Sequence, residues 1–97
     1  MDIQGTFVLK PRRLEDIGRP GFRLKRPIVV LLSKRAGQVI AMVSTPLIEA
    51  VSHDVEPALE ALKDRIVQAY AEWEAKGPKR TEEESEMFET MSLWLER

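Results

Sequence analysis

The chain of 97 residues contains no cysteine. It therefore has no disulfide bond, no thiolate nucleophile and no thiolate ligand for a metal. A chain of this length suits one small domain, residues 1–97, which buries roughly two-thirds of the surface that its unfolded form exposes. The core must come from apolar packing, and the lack of cysteine fits a reducing compartment.

Long apolar runs are also missing. No segment approaches the roughly 20 consecutive apolar residues that a membrane-spanning helix requires. Residues 1–5 lack the basic segment followed by an apolar segment that is typical of a secretory signal peptide. We therefore expect a cytoplasmic protein that does not bind a membrane.

Side chains that perform catalysis are scarce. His53 is the only histidine, the glycines form no phosphate-binding loop, and no serine stands in a strand–turn–helix nucleophile pattern. His53 with Asp54 and Glu56 is a weak metal-ligand pattern, and the alternative is a solvated residue before a helix. The glutamates at residues 82–86 could hold a cation loosely, or form a charged face that suits the helix dipole. We expect no catalytic residue, metal or cofactor, and no enzymatic activity.

Two apolar runs rich in β-branched residues occupy positions 28–32 and 39–43. The mostly polar residues between them include Gly37, which can adopt the left-handed conformation of a tight turn. This pattern predicts an antiparallel hairpin. Because both runs are apolar at every position, we expect both faces of the sheet to be covered, one by a helix and one by something else.

Two shorter strands are predicted on either side of this hairpin. Residues 47–51 follow the break at Pro46 and form a possible third strand. Residues 3–10 are β-prone, and a short strand at residues 7–9 is expected to stop at Pro11. The sheet therefore has three or four strands.

A long helix is predicted to start at Asp54. The Asp54 carboxylate can accept hydrogen bonds from the free backbone N–H groups of the first turn, where the missing donor of Pro57 costs little. Apolar residues then recur at spacings of three and four until the Gly-Pro pair at 77–78 ends the helix. This stripe comprises Leu59, Leu62, Ile66, Ala69, Tyr70 and Trp73. It predicts a helix of about 30 Å with one face packed on the sheet.

A second helix is predicted over residues 81–97. Thr81 followed by Glu84 matches a capping box, in which each residue bonds the backbone N–H of the other. Methionine adapts to irregular surfaces and aromatic residues anchor interfaces, so the apolar face of this helix is the candidate site for a protein partner or a second copy. Its residues are Met87, Phe88, Met91, Trp94 and Leu95. The alternative is that this face packs on the free side of the sheet and closes the core.

Charge is unevenly distributed. Residues 1–35 contain nine basic and three acidic residues, a net charge of +6, whereas residues 36–97 contain six and thirteen, a net charge of −7. An arginine-rich loop over residues 11–27 could contact nucleic acid or an acidic partner, and Phe22 could stack on a base. Its candidate contact residues are Arg12, Arg13, Arg19, Arg23, Lys25 and Arg26. The alternative is that they pair with the acidic half of the same fold.

Residues 52–59 read Ser-His-Asp-Val-Glu-Pro-Ala-Leu and follow the three predicted strands. Over residues 27–73 this order resembles the HicB family, the antitoxin partners of the small HicA ribonuclease toxins, whose helix begins Gly-Asp-Thr-x-Glu-Glu-Ala-Leu. Glu56, Ala58 and Leu59 match that motif, and Asp54 takes the capping role of the family's threonine. The resemblance implies an oligomer and a surface that binds a toxin. The helix at 81–97 resembles neither of the family's C-terminal DNA-binding modules, helix-turn-helix or ribbon-helix-helix.

These features predict an α+β fold with a small, mainly antiparallel sheet, a β-β-β-α core and a C-terminal amphipathic helix. The expected function is non-enzymatic protein interaction, as a HicB-like antitoxin, an inhibitor or an accessory subunit. The expected partner is a protein, such as a small ribonuclease toxin, or a second copy in a homodimer. The alternative function is an accessory protein that contacts nucleic acid through the arginine-rich loop at residues 11–26.

Overall fold

The computed structural model describes residues 7–97. The four longer strands form one antiparallel sheet in which they lie in the order of the chain, and the two shortest strands pair with each other. A short 3-10 helix at Gly77–Lys79 links the two helices. In chain order the elements are β1 (Phe7–Leu14), β2 (Arg23–Leu24), β3 (Ile28–Arg35), β4 (Gln38–Ser44), β5 (Leu47–Ser52), α1 (Val55–Lys76), α2 (Glu82–Ser92) and β6 (Leu95–Glu96). The predicted α+β fold is confirmed.

The central hairpin is tighter than the polar stretch in the sequence suggests. Arg35 pairs with Gln38, so only Ala36 and Gly37 form the turn, with φ angles of 51° and 79°. Two positive φ angles give a turn whose twist matches that of the flanking strands, and glycine favours the second position. The predicted hairpin and the third strand, which is β5, are both confirmed.

β1 runs from Phe7 through Pro11 to Leu14, so the prediction that this strand stops at Pro11 is wrong. The register shifts between Leu9 and Arg12, which leaves Lys10 and Pro11 opposite one residue of β3. Proline is tolerated there because β1 is an edge strand with a bulge, and the ladder does not need its missing N–H. The loop expected over 11–27 is therefore shorter and contains β2. The β-prone residues 3–6 lie outside the described part of the chain.

α1 covers one face of the sheet. It begins with the backbone N–H of Val55 donating to the Asp54 carboxylate at 2.8 Å, and it ends at Gly77, whose φ is 51°. Every second residue is buried from Ile28 to Leu32 in β3 and from Val39 to Val43 in β4. The residues of α1 that are buried in the same core are Ala58, Leu59, Leu62, Ile66 and Tyr70.

α2 packs beside α1, on the same side of the sheet. Its capping box is formed, with 3.0 Å between the Glu84 nitrogen and Thr81 Oγ1 and 2.9 Å between the Thr81 nitrogen and Glu84 Oε1. The ring of Tyr70 in α1 lies 5.6 Å from that of Phe22 and 5.0 Å from that of Phe88, measured between centroids. This aromatic cluster joins the loop before β2, α1 and α2 into one core.

Candidate functional site

The prediction that one helix spans residues 81–97 is wrong, because α2 ends at Ser92 and Leu95 pairs with Leu24 of β2 instead. Of the five residues of the predicted apolar face, Trp94 therefore lies in a turn and Leu95 in β6. This face is largely internal. Met91, Trp94 and Leu95 are at most 5% exposed, and Met87 and Phe88 are half-buried. They pack with Phe22, Tyr70 and β2, so three of the five candidate partner-binding residues are unavailable to another molecule. Their position agrees with the alternative to partner binding, in which this face closes the core. It closes the core beside α1, however, and not on the free side of the sheet.

Four of the candidate basic residues have carboxylate partners within the chain. The ion pairs are Arg12–Glu56 at 2.9 Å, Arg13–Glu15 at 2.9 Å, Arg19–Glu60 at 3.0 Å, Arg19–Asp64 at 2.6 Å, and Arg23–Glu96. Arg12, Arg19 and Arg23 thereby join the basic half of the chain to the acidic half. Lys25 and Arg26 form no ion pair within residues 7–97.

Arg19 holds the loop before β2 against α1. It donates to the carboxylates of Glu60 and Asp64 and also to the backbone carbonyl of Glu60. Hydrogen bonds from Lys63 and Arg19 lower the pKa of Glu60, and the hydrogen bond to Asp64 raises the pKa of Arg19. Both carboxylates are mostly exposed, so this cluster contributes modestly to stability. Its evident role is to position the loop.

The second face of the main sheet carries no cover among the described residues, and we call it the open face. Leu31 is 42% exposed on β3, Val51 is 49% exposed on β5, and Ile40 and Met42 on β4 are half-buried. No helix or loop in residues 7–97 buries these side chains. The expectation that something covers both faces is therefore met for one face only. The apolar residues of the open face are Val8, Pro11, Val29, Leu31, Ile40, Met42, Leu47 and Val51.

Strand register arranges the open face in rows. Leu31 pairs with Met42, and Met42 pairs with Glu49, so these three side chains form one row across β3, β4 and β5. The bulge residues Lys10 and Pro11 continue this row on β1. The central row is therefore basic at one edge of the sheet, apolar in the middle and acidic at the other edge. Neither Lys10 nor Glu49 forms an ion pair within residues 7–97.

A shallow cavity of about 300 Å³ lies on the open face. Leu31, Ile40 and Met42 form its floor, and Pro11 and Glu49 lie at opposite sides. Apolar walls with few polar groups are typical of surfaces that bind other molecules. This surface can make apolar contacts at its centre and charged contacts at its edges. No group of three metal-binding side chains is found in residues 7–97.

Leu31, Met42 and Glu49 were not among the candidate residues from the sequence. The signal that could have identified them is the unbroken apolar pattern at 28–32 and 39–43, which makes both faces of the sheet apolar. His53, the weak metal candidate, is exposed, and its Nδ1 lies 3.5 Å from the Ser52 hydroxyl. It is solvated beside the helix start.

No family model, no curated protein and no solved structure matches the chain. The resemblance to HicB therefore depends on residues 52–59 and on the order of strands and helix. In the described part of the chain, neither helix has the length and apolar character needed to cross a bilayer.

Proposed function

We propose that the chain is a non-enzymatic interaction protein that binds a protein partner, either a different protein or a second copy, through the open face of its sheet. The observation that carries this proposal is the uncovered apolar surface formed by Leu31, Ile40 and Met42. The apolar residues of α1 and α2 that face the core are already packed. A contiguous exposed apolar surface costs free energy in water and commonly marks an interface.

The charges at the edges of the open face define the chemistry of the partner. Lys10 lies at the β1 edge, and Glu49 lies on β5 at the opposite edge. A complementary protein surface is apolar at its centre, acidic where it meets Lys10 and basic where it meets Glu49. Such a surface fits a folded protein better than a nucleic acid, whose backbone is uniformly negative.

Within this proposal, the chain acts in the cytoplasm as an antitoxin, an inhibitor or an accessory subunit. The succession of three strands and a helix from β3 to α1 has the order that the resemblance to HicB implies. That resemblance favours an antitoxin whose target is a small ribonuclease toxin. The motif at residues 52–59 serves to start α1, since Asp54 caps the helix and Ala58 and Leu59 are buried. It therefore supports the fold more than a particular target.

The alternative, contact with nucleic acid through residues 11–26, has less support. Arg12, Arg19 and Arg23 are engaged by carboxylates of the same chain. Only Lys25 and Arg26 among the six candidates have no ion pair in residues 7–97. Two cations give weak binding that depends strongly on salt.

Photo-crosslinking in the cells that produce the protein tests the proposal. A benzophenone amino acid replaces Leu31 on the open face or, as a matched control, Leu93, which is also exposed but lies at the end of α2. We expect a covalent protein adduct from position 31 and none from position 93, with the crosslinked partner identified by mass spectrometry. No adduct from position 31, or the same adduct from both positions, would overturn the proposal.

A further inference from the structure

We propose that the protein bound at the open face is a second copy of this chain, related by a two-fold axis parallel to the strands. This inference rests on the proposed function, because it requires the open face to bind protein. It adds the identity of the occupant and the orientation in which it docks. The argument comes from the order of charges across the central row of the face.

Two simple arrangements stack a sheet on its own copy. A two-fold axis parallel to the strands places β1 of one copy over β5 of the other, and β3 over β4. A two-fold axis in the interface but perpendicular to the strands places each strand over its own equivalent. The two arrangements bury the same apolar surface, so charge decides between them.

The central row is complementary to itself in only the first arrangement. With the axis passing between Leu31 and Met42, Lys10 of one copy faces Glu49 of the second copy, and Leu31 faces Met42. The two-fold axis repeats both contacts. In the second arrangement Lys10 faces Lys10 and Glu49 faces Glu49, which places like charges together at both edges. The order of charges therefore selects the axis parallel to the strands.

The neighbouring row fits the same arrangement. Val8 pairs with Ser33, Ser33 with Ile40, and Ile40 with Val51, so this row has an apolar residue at each edge of the sheet. Reversal by the two-fold axis places Val8 over Val51 and Ser33 over Ile40. No charged residue of this row is forced into the interface.

The dimensions of packed sheets allow the charged contacts. Face-to-face sheets are about 10 Å apart, and their strands cross at about 30°. An edge strand of a four-stranded sheet lies about 7 Å from the central axis, so this rotation displaces the end of a row by roughly 4 Å. The flexible stem of Lys10 can take up that displacement while its ammonium reaches Glu49 of the second copy.

The size of the face places the dimer among weak, reversible complexes. Four strands about 4.8 Å apart and roughly six paired residues long give a footprint of about 400 Å² for each copy. The total lies below the roughly 1,600 Å² of a standard stable complex. We therefore expect a reversible dimer with a micromolar dissociation constant, and monomers in dilute solution.

Sedimentation velocity over about 1 to 300 μM, a range that brackets a micromolar equilibrium, tests this dimer. The variants are Lys10→Glu and Glu49→Lys, each of which replaces two attractive contacts by two repulsive ones. We expect each single variant to weaken self-association by roughly tenfold or more. The double variant K10E/E49K should regain the wild-type dissociation constant to within about threefold.

Mixing the two single variants gives a second diagnostic result. The heterodimer of Lys10→Glu with Glu49→Lys restores both opposite-charge contacts, so the mixture should associate more tightly than either variant alone, with a dissociation constant close to that of the wild type. Lys10 and Glu49 lie at opposite edges of one sheet, so a contact within one copy cannot produce this rescue.

The outcomes separate this inference from the proposed function. A wild-type chain that remains monomeric, or a dimer that is indifferent to the charge reversals, would overturn the inference. An adduct from position 31 to a different, identified protein would leave the proposed function standing and would also overturn the inference. The absence of any protein adduct from position 31 would overturn both the proposed function and this inference.

Discussion

The indole nitrogen of Trp94 donates a hydrogen bond to the carbonyl oxygen of Thr45, with 3.0 Å between Nε1 and O. This bond joins the segment after α2 to the turn between β4 and β5. The carbonyl of Trp94 accepts in turn from the backbone N–H of Lys25, at 2.8 Å. Trp94 therefore ties together three regions that are distant in sequence. Its position in the core explains why the apolar face of α2 is not free for a partner.

Truncation of Trp94 is expected to destabilise the fold. Trp94→Ala removes a side chain that is 5% exposed, and such a change costs about 3–5 kcal/mol of unfolding free energy. Trp94→Phe keeps most of the apolar volume but removes the donor to Thr45, so we expect a smaller loss of about 1–3 kcal/mol. Urea unfolding followed by circular dichroism measures both. Leu93→Ala, at a neighbouring exposed position, is the control, and equal midpoints for Trp94→Ala and this control would contradict the account.

Arg19 is expected to contribute more to stability than Arg13. Arg19 contacts Glu60 and Asp64 on α1 across 41 and 45 residues of sequence, whereas Arg13 pairs only with Glu15, two residues away. Arg19→Met should lower the unfolding free energy by on the order of 1 kcal/mol at low salt, with a smaller effect at high salt. Arg13→Met should leave it almost unchanged. Urea titrations at two salt concentrations test this, and equal losses would show that the loop does not depend on Arg19.

Acid is expected to remove a stabilising contact at the start of α2. The hydrogen bond from Lys76, followed by that from the Thr81 backbone, lowers the pKa of Glu84 below its ordinary value of 4.5. Because the pKa of Glu84 is lower in the folded state, its carboxylate stabilises the fold at pH values above the unfolded pKa. This stabilisation is lost as the pH falls through the folded pKa. Glu84→Gln should therefore lower the melting temperature at neutral pH, and the difference from wild type should shrink below about pH 4.5.

The control for this pH dependence is Glu89→Gln, an exposed position on α2 whose carboxylate has no ion pair within residues 7–97. It should change the melting temperature little at neutral pH. Thermal melts of the three proteins at a series of pH values provide the measurement. If the difference in melting temperature between wild type and Glu84→Gln increased as the pH fell, the stabilising role assigned to the Glu84 carboxylate would be contradicted.

We expect that the protein does not bind nucleic acid at physiological salt concentration. Fluorescence anisotropy with labelled single- and double-stranded oligonucleotides, at about 50 and 200 mM salt, measures this directly. Binding that falls steeply with salt and disappears in a Lys25→Ala/Arg26→Ala double variant would favour the nucleic-acid alternative over the proposed function.

Local signals in the sequence predicted where both helices begin, whereas the end of α2 at Ser92 was not predicted, because residues 95–96 pair with the distant strand β2. Asp54 and the Thr81–Glu84 capping box act through side chains within three residues of the groups they bond, so a short window contains all the information. The turn at Ala36 and Gly37 is similarly local. The path of β1 through Pro11 does not depend on local signals. Proline is acceptable there only because β1 lies at the edge of a sheet that other strands complete.

The sequence could not reveal which surface stays uncovered. Two amphipathic helices and a sheet with two apolar faces predict that each helix covers one face. The structure instead places both helices on the same side, where Phe22 of the loop before β2 packs against Tyr70, and Ile17 and Met91 belong to the same core. That arrangement depends on contacts between residues far apart in sequence. It leaves Leu31 and Met42 on the surface.

The most direct test of the account compares self-association of Leu31→Glu and Leu93→Glu by sedimentation velocity, at concentrations where the wild type is expected to dimerise. Both leucines are exposed, so both variants should keep the wild-type circular dichroism spectrum and unfold within about 1 kcal/mol of it. The account predicts that Leu31→Glu remains monomeric while Leu93→Glu associates like the wild type. Association of Leu31→Glu equal to that of the wild type would contradict it.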